Sequence, residues 1–378
     1  MTKPLSIVAD SCRRAGLLLA CALACVSLRA DPPPVVEGGF TLVVIPDSQK
    51  YVETRPEFYT LQTGWIAANV ARYGIVRVLH VGDITQHDTT TEWAAADRAH
   101  RVFTGLVPGI YAQGNHDMAL RDEYRSRVSR FSQHITLEDY RRQPGFGGVY
   151  DREPTHTQNS FHLFEAGEEK WLVIALEFAP RDDVLDWANE VVARHPERRV
   201  ILLTHAYLRP DATRYDRTFR EPSKPNSSHG LSSKTVGRLE GGFNDGEDMW
   251  RKLVSQHANL TLVVCGHVCT SAYRASRGVH GNTVHQVLVD YQNAANGGNG
   301  WLRLLQFLPD GRTIRVRDYS PLLNETSAEP SCTFEFQLGS LENMPAERTH
   351  LPPSRRLDPA ERDVRGFALQ APIPAGKP

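Results

Sequence analysis

Short continuous apolar runs recur along the chain, and in its first half they alternate with segments of helical periodicity. Five of these runs are typical of buried strands: 40–45, 76–81, 110–113, 200–204 and 260–265. Apolar spacing close to the helical repeat predicts helices over 56–73, 92–103, 184–194 and 247–257. The order strand, helix, strand, helix, strand over 40–113 predicts right-handed crossovers and a parallel sheet, and therefore an α/β fold.

The pattern changes further along the chain. Residues 160–164 and 171–176 predict a hairpin around Gly167. The connection from His205 to Gly242 is long for a compact domain, and such a loop is usually functional or disordered. Late alternating or apolar runs predict antiparallel strands that complete a second sheet: 284–289, 301–307, 313–317 and, as a further candidate, 332–338.

The N-terminal segment differs from the rest of the chain. Residues 1–14 carry basic side chains, and residues 15–28 are apolar apart from Ser27. That apolar stretch is short for a membrane span and suits the core of a secretory signal. We therefore expect an exported protein, periplasmic or extracellular, with no membrane span after signal removal. Cys21 follows Leu-Leu-Ala, which leaves a lipoprotein anchor as an alternative.

Three segments follow from this organisation. They are a secretory signal peptide over 1–30, one large folded domain over 31–338, and a loosely packed tail over 339–378. The tail is expected to pack loosely because it holds several Pro and Arg residues and little apolar pattern.

Composition excludes some classes of protein. The chain has 378 residues, of which 40% are hydrophobic and 23% charged, as in ordinary globular proteins. Its formal net charge of -1 gives no nucleic-acid-binding footprint. Outside the expected signal the cysteines are Cys265, Cys269 and Cys332, and an odd number in an exported chain does not indicate a disulfide scaffold.

Polar residues that can bind a metal follow directly after five of the predicted strands. They are Asp47, Asp83, Asn115, His205 and His267. The carboxyl ends of parallel strands lie along one edge of a sheet, where open α/β proteins bind ligands. Two carboxylates, an amide and two imidazoles suit Zn, Mn or Fe, with Mg as an alternative.

The segment 114–117, Gly-Asn-His-Asp, concentrates further chemistry in one tight turn. The Asn115 amide oxygen is a neutral metal ligand, the His116 imidazole is a proton donor near neutral pH, and the Asp117 carboxylate can orient that imidazole. The turn is therefore a candidate catalytic element.

Taken in order, these motifs resemble those of the calcineurin-like metallophosphoesterase superfamily. The motifs are Asp47-x-Gln49, Gly82-Asp83-x-x-Gln86, Gly114 to Asp117, His205 and Gly266-His267. The resemblance covers most of the chain after the expected signal. It implies a β-sandwich of two mixed sheets flanked by helices, and two metal ions, commonly Fe, Mn or Zn. It also implies hydrolysis of phosphate mono- or diesters by a metal-activated hydroxide.

The resemblance also implies roles for individual residues. Asp83 would bridge the two metal ions and Asp47 would bind the first. Asn115, His205 and His267 would complete the second. His116 would contact the phosphate and protonate the leaving oxygen as general acid, with Asp117 holding its ring.

Two positions depart from the family pattern, and both affect the first metal. Gln49 and Cys269 stand where the family usually has histidines. Gln49 is either a weak oxygen ligand or a hydrogen-bonding neighbour, and Cys269 is either a thiolate ligand, which would favour Zn or Fe, or a small buried residue. These departures also allow a degenerate member of the family, a single-metal protein with a binding or structural role.

Several other residues are weaker candidates. Gln86 and the segment Asp290-Tyr291-Gln292 follow strands near the predicted metal edge, and Tyr291 is a candidate to stack on or hydrogen-bond a substrate. Candidates in the long connections are His156, Asn159 and His229 and the possible phosphate clamps Arg209, Arg214 and Arg217.

Overall fold

Two mixed seven-stranded sheets pack face to face in this computed structural model, and helices cover the outer face of each sheet. The structure describes residues 31–118, 126–221, 224–231, 236, 239–268 and 270–339. The expected signal peptide, Cys269 and all but the first residue of the expected tail lie outside the described residues.

The strands, numbered in chain order, are β1 (Phe40–Ile45), β2 (Ile75–His80), β3 (Gly109–Tyr111), β4 (Phe146–Val149), β5 (Ser160–Ala166), β6 (Glu169–Ala175), β7 (Arg199–Leu203), β8 (Asp216–Glu221), β9 (Lys224–His229), β10 (Leu260–Cys265), β11 (Thr270–Arg277), β12 (Thr283–Asp290), β13 (Leu302–Phe307), β14 (Thr313–Ser320), β15 (Glu325–Thr326) and β16 (Thr333–Gln337). The helices are α1 (Gln49–Thr54), α2 (Pro56–Asn69), α3 (Thr90–Phe103), α4 (Phe131–His134), α5 (Leu137–Arg142), α6 (Asp182–Ala193) and α7 (Gly246–Lys252).

The first sheet has the strand order β15-β14-β13-β1-β2-β3, with β16 also paired to β14, and the second has the order β11-β12-β10-β7-β6-β5-β4. Strands β1, β2 and β3 are mutually parallel, as are β6, β7, β10 and β12. This arrangement confirms the predicted β-sandwich of two mixed sheets.

The apolar runs form strands because both of their faces are buried. In β1, Leu42 and Val44 point into the core between the sheets, whereas Val43 and Ile45 pack under the helices of the first sheet. A strand with one face on the facing sheet and the other on helices has no solvent side, so it is apolar at every position.

Local signals fix where the two helices over the first sheet begin. Pro56 is at the first turn of α2, where its missing N–H costs nothing. The Thr89 side chain accepts a hydrogen bond from the Glu92 backbone, and the Glu92 carboxylate accepts one from the Thr89 backbone. This capping box starts α3 at Thr90.

Two of the late strands join a different sheet from the one that we predicted. Strands β13 and β14 belong to the first sheet, where β13 pairs antiparallel with β1. Strand β12 joins the second sheet as expected and pairs antiparallel with β11, but it also pairs parallel with β10, which was not expected. The carboxyl end of β12 therefore lies at the same edge as that of β10, which changes the composition of the candidate site.

Other elements were missed or are shorter than predicted. The connection after His205 contains the hairpin β8–β9, and β11 was not anticipated. The helix predicted over 247–257 divides into α7 and a 3-10 turn over Val254–Gln256. Within the described residues, every helix is too short or too polar to cross a membrane.

Candidate metal centre

The two sheets direct the carboxyl ends of their parallel strands toward one another. Asp47, Asp83 and Asn115 follow β1, β2 and β3 of the first sheet, while His205 and His267 follow β7 and β10 of the second. The structure thus brings all five predicted strand-end residues to one place. They come from both sheets, whereas we had predicted one edge of one sheet.

Four of these side chains converge on a small volume. His205 Nε2 lies 3.2 Å from Asp83 Oδ2 and 3.1 Å from Asn115 Oδ1. His267 Nδ1 lies 3.1 Å from the same His205 nitrogen. The ligand atoms of Asp83, His205 and His267 all lie within 4.8 Å of one another, so one ion could contact all three. We call these four residues the histidine group.

The tautomer of His205 suits metal binding. Its Nδ1 donates a hydrogen bond to the Val81 carbonyl at 2.9 Å, so in the neutral ring Nε2 carries the lone pair. That lone pair points at Asp83 and Asn115. A backbone carbonyl that holds the outer ring nitrogen is the usual way in which proteins orient a histidine ligand.

Electrostatics couple Asp83 with His205. Burial raises the pKa of Asp83, but the neighbouring imidazole of His205 outweighs it, and the net pKa lies well below the ordinary value. Burial lowers the pKa of His205, but the Asp83 carboxylate outweighs that effect and the net pKa is raised. Burial, with His205 next to it, lowers the pKa of His267 to about 3. The group therefore favours a cation beside Asp83.

Two motif glycines make room for carboxylates. A Cβ atom on Gly114 would lie 2.1 Å from both the backbone nitrogen and Oδ1 of Asp83, and one on Gly266 would lie 2.2 Å from Asp47 Oδ1. Asp83 and His267 themselves have positive φ angles of 50° and 83°, which are uncommon for residues with a side chain. Such backbone strain is concentrated at functional sites.

His116 lies at the margin of the histidine group. Its backbone N–H donates to Asp83 Oδ1 at 2.8 Å, and its ring Nδ1 donates to the Gln86 carbonyl at 2.9 Å. The ring is half-buried, and its Nε2 is on the side away from the Gln86 bond. The Gln86 backbone, and not its side chain, therefore makes the contact that matters here.

Asp117 has a different role from the one we expected. Its carboxylate accepts hydrogen bonds from the backbone N–H groups of Gly114 at 2.9 Å, Thr85 at 2.8 Å and Ile84 at 3.2 Å. The His116 ring is thus held by Gln86, and Asp117 instead ties the loop after β2 to the loop after β3. Burial, with Asp83 nearby, raises the pKa of Asp117 to about 7.

The neighbouring group contains Asp47 and Gln49. The Asp47 carboxylate accepts the backbone N–H of His267 at 3.1 Å, and burial raises its pKa, helped by Asp290 and Asp83. Gln49 Nε2 donates to Asp83 Oδ2 at 3.1 Å. The prediction that Cys269 is a ligand here falls on a residue that the structure does not describe.

Two residues that the sequence marked only as secondary candidates complete this region. Gln292 Nε2 donates to Asp290 Oδ2 at 2.8 Å and lies 3.4 Å from Asp47 Oδ2. Gln292 Oε1 accepts from Gln49 Nε2 at 2.5 Å. Burial, together with the charge of Asp83, raises the pKa of Asp290 to about 6. We call Asp47, Gln49, Asp290 and Gln292 the amide group.

Tyr291 does not face this region. Its hydroxyl donates to Asp318 Oδ2 at 2.5 Å, and its ring stacks on Trp301 with centroids 5.4 Å apart. Asp318 is in turn paired with the buried guanidinium of Arg303 at 2.6 Å. Tyr291 is therefore part of the packing and is not placed to stack on a substrate.

The remaining candidates lie in varied surroundings. Arg214 is buried, pairs with Glu247 at 2.9 Å and stacks on Trp250, so it is not a phosphate clamp. Arg217 pairs with Asp248 at 3.0 Å. Asn159 donates to Glu177, His156 is exposed, Arg209 lies over the Tyr215 ring, and the side chain of His229 lies outside the described residues.

The described cysteines are free thiols. Cys265 and Cys332 are both buried and neither is in a disulfide. Burial raises the pKa of the Cys265 thiol to about 12, so it stays protonated and is a poor metal ligand.

The chain belongs to the calcineurin-like phosphoesterase family, whose family model matches residues 41–271. Within the part of the chain that the structure describes, the cluster of Asp83, His205 and His267 is a candidate metal-binding triad. The family match confirms the resemblance drawn from the motifs.

Individual relatives are distant. A Bacillus subtilis (strain 168) protein named YvnB, described as uncharacterized, is 27% identical over 322 residues, which are 82% of this chain and 22% of that protein. This chain thus spans about a fifth of the length of that relative.

Solved structures with a similar arrangement have little sequence identity to this chain. A purple acid phosphatase from yellow lupin (Lupinus luteus) is 12% identical with a TM-score of 0.49, covering 86% of this chain and 58% of that one. A 5'-nucleotidase precursor from Thermus thermophilus is 13% identical with a TM-score of 0.38, covering 81% of this chain and 56% of that one.

Proposed function

We propose that this protein is an exported phosphoesterase that hydrolyses phosphate mono- or diesters with two bound metal ions, and that His116 is its general acid. The observation that carries the proposal is the convergence of Asp83, Asn115, His205 and His267 within one small volume beside the His116 ring.

The donor set fits a borderline transition metal. The histidine group offers one carboxylate oxygen, one amide oxygen and two imidazole nitrogens, which suit Zn, Mn or Fe. Asp83 Oδ2 faces both this group and the amide group, because it lies near His205 Nε2 and also accepts from Gln49 Nε2. This supports a role for Asp83 as the ligand that two ions would share. Ions bound there would supply water activation and would neutralise charge on the phosphoryl oxygens.

The chain itself supplies the proton for the leaving group. The Gln86 carbonyl fixes His116 Nδ1–H, and the Asp83 carboxylate fixes the His116 backbone. In the cationic ring both nitrogens carry protons, so Nε2–H is free to donate to the leaving oxygen of an ester bound beside the histidine group. Asp117 keeps the two loops in register and so positions His116 indirectly.

The experiment is a metal-resolved assay. The purified chain, freed of metal by a chelator, is reconstituted with Mn²⁺, Zn²⁺ or Fe²⁺ and assayed on p-nitrophenyl phosphate and bis-p-nitrophenyl phosphate. We expect metal-dependent hydrolysis of at least one ester and its loss in His267→Ala. Hydrolysis that is unchanged by the chelator and by His267→Ala would contradict the proposal.

One observation favours a second candidate, a single-metal binding protein. Gln49 stands where the family pattern has a histidine ligand, and its amide N–H is directed at Asp83 Oδ2. This candidate predicts tight binding of one metal ion and no hydrolysis of either ester, so the same assay separates the two candidates.

Export is part of the proposal. It is supported by the basic residues of 1–14, the apolar segment 15–28 and the proline run that follows. Expression of the full sequence in a bacterial host, fractionation and N-terminal sequencing test it. We expect periplasmic protein cleaved near residue 30, whereas uncleaved cytoplasmic protein would contradict export.

A further inference from the structure

We propose that the Asp290 carboxylate is a ligand of the first metal ion and makes that site rich in oxygen donors. The inference rests on the proposed function, because it takes a second ion beside Asp83 as given. It concerns the place where Gln49 and Cys269 depart from the family pattern and leave the first site short of histidine ligands.

The first argument is charge. Asp47, Asp83 and Asp290 are 1%, 1% and 2% exposed. Among the described residues, no Lys or Arg forms a salt bridge with any of the three, and the partner of Asp83 is His205. Burying a carboxylate is costly unless a cation pairs with it or a metal binds it. Three buried carboxylates beside one another are therefore best explained by a bound cation.

The second argument is the geometry of the amide group. Gln292 Nε2 lies between Asp290 Oδ2 at 2.8 Å and Asp47 Oδ2 at 3.4 Å. Gln49 Nε2 lies between Asp83 Oδ2 at 3.1 Å and Gln292 Oε1 at 2.5 Å. Two amide groups thus connect the three carboxylates in one continuous chain of hydrogen bonds.

The third argument is a buried polar atom with nothing to bind. Gln49 is 0% exposed, and its Oε1 has no hydrogen-bond partner among the described residues. The nitrogen of the same amide faces Asp83 and Gln292. Rotation of the amide about its last side-chain bond would exchange the two atoms and present Oε1 to an ion between the carboxylates. An unsatisfied buried oxygen next to paired carboxylates points to a cation.

Strand register explains why Asp290 is in this place. In the parallel pairing of β10 with β12, Cys265 is opposite Leu288. Asp290 is the last residue of β12, and His267 lies two residues beyond the end of β10, so both lie at the carboxyl edge of these neighbouring parallel strands. Asp290 thus lies at the same edge of the second sheet as the candidate ligand His267.

The donor set indicates which metal this site would take. The described donors at the first site are the carboxylates of Asp47, Asp83 and Asp290 and the amide oxygens of Gln49 and Gln292. An all-oxygen set with several carboxylates favours Mn²⁺ or Mg²⁺ over softer ions. The histidine group, with two nitrogens, suits Zn or Fe as well as Mn.

The test measures metal binding and not activity alone. Wild type, Asp290→Asn and the matched control Asp248→Asn are freed of metal and titrated with Mn²⁺, and bound metal is counted and recorded by electron paramagnetic resonance. Asp248 is also a buried carboxylate, but Arg217 and Arg251 neutralise it. The control therefore reproduces the loss of a buried carboxylate away from the metal.

We expect two coupled Mn²⁺ ions in wild type and in Asp248→Asn. In Asp290→Asn we expect one tightly bound ion with an uncoupled spectrum and at least tenfold weaker binding of the other. Two ions bound to Asp290→Asn within twofold of wild-type affinity would overturn the inference. One ion in wild type with hydrolysis intact would overturn it and leave the hydrolase function in place. No metal in wild type would overturn both.

A second measurement tests the inference even if Asp290→Asn does not fold. A crystal structure of Mn²⁺-loaded wild type, with the ions located by anomalous scattering, shows the ligands directly. We expect an Asp290 oxygen in direct coordination with the ion next to Asp47. An ion there without Asp290 in its coordination shell would overturn the inference.

Discussion

His205 and Asp83 belong to different sheets, and yet His205 Nε2 lies 3.2 Å from Asp83 Oδ2. Asp83 follows β2 of the first sheet and His205 follows β7 of the second. A metal ion bound between them would therefore join the two sheets at the open end of the sandwich. In the proposed function, this contact therefore links metal binding and catalysis to the stability of the fold.

Metal should therefore stabilise the fold. A ligand that binds only the folded state at about 100 times its dissociation constant adds about 2.7 kcal/mol to the free energy of unfolding. We expect the melting temperature of chelator-treated protein to rise on addition of Mn²⁺, and we expect the rise to shrink in His267→Ala. Calorimetry with and without metal measures it, and equal melting temperatures in both states would count against a metal site between the sheets.

The general acid role of His116 predicts a dependence on the leaving group. Removal of a general acid typically costs about 10²–10⁴ in rate, and the cost is larger when the leaving oxygen is a poor leaving group. We expect His116→Ala to reduce kcat on an alkyl phosphate more than on p-nitrophenyl phosphate, with unchanged metal content.

The matched control for that experiment is His280→Ala. His280 is in the turn before β12, at the opposite end of that strand from Asp290, and its ring bonds the Gln256 carbonyl. Its removal should leave both rates near those of wild type. Equal losses on the two esters in His116→Ala would mean that His116 only binds the phosphate.

A glycine is required at position 114 because the Asp83 carboxylate packs against it, and not only because the turn favours glycine. A Cβ atom there would lie 2.1 Å from Asp83 N and Oδ1, so Gly114→Ala must displace the Asp83 carboxylate. We expect a loss of about 1–3 kcal/mol in unfolding free energy, as for other overpacked sites, together with weaker metal binding.

Gly64→Ala is the matched control. Gly64 lies inside α2, and a Cβ atom there meets nothing within 4 Å. The same substitution should therefore stabilise the protein by about 0.5–1 kcal/mol, because alanine suits a helix interior better than glycine. Denaturant titration of the two variants should give changes of opposite sign.

Buried histidines should make the fold sensitive to acid. Burial lowers the pKa of His257 to about 4, that of His285 to about 4, and those of His100 and His162 to about 3. Above pH 6.5 both folded and unfolded chains hold these rings neutral, and stability is unaffected. Below pH 6.5 the unfolded chain binds protons that the folded chain does not, so stability falls until the folded pKa values are reached.

His257→Gln isolates one of these contributions. The His257 ring donates from Nε2 to Asn189 Oδ1 at 2.8 Å, and a glutamine amide can also donate. We expect the melting temperature of chelator-treated His257→Gln to depend less steeply on pH between 6.5 and 4 than that of wild type. An identical slope in both proteins would show that His257 does not titrate differently on unfolding.

Most of this site could be predicted because the ends of buried strands can be recognised in the amino-acid sequence. Apolar runs that end at Asp47, Asp83, Asn115, His205 and His267 marked both the strands and the candidate ligands, and the structure brings these residues together. Buried parallel strands leave this trace because both of their faces are apolar. The order of motifs then gave the family.

The sequence alone did not assign Asp290 to the metal centre. Its strand was expected to run antiparallel, and only the pairing of β12 with β10 shows that Asp290 and His267 share an edge. Periodicity identifies a strand but does not give its partner or direction. The partner of the His116 ring was missed for a similar reason, because the order of residues does not show whether Asp117 or the Gln86 carbonyl reaches that ring.

The most direct test of the account is the hydrolysis rate of one sample measured against the number of metal ions bound per chain. Metal-free protein is titrated with Mn²⁺ beside His116→Ala, with bis-p-nitrophenyl phosphate and p-nitrophenyl phosphate as substrates. We predict that hydrolysis by wild type reaches its plateau only as the second ion binds, and that His116→Ala binds both ions and hydrolyses far more slowly. Metal bound by wild type with no hydrolysis above that of His116→Ala would contradict the account and identify a binding protein on a phosphoesterase fold.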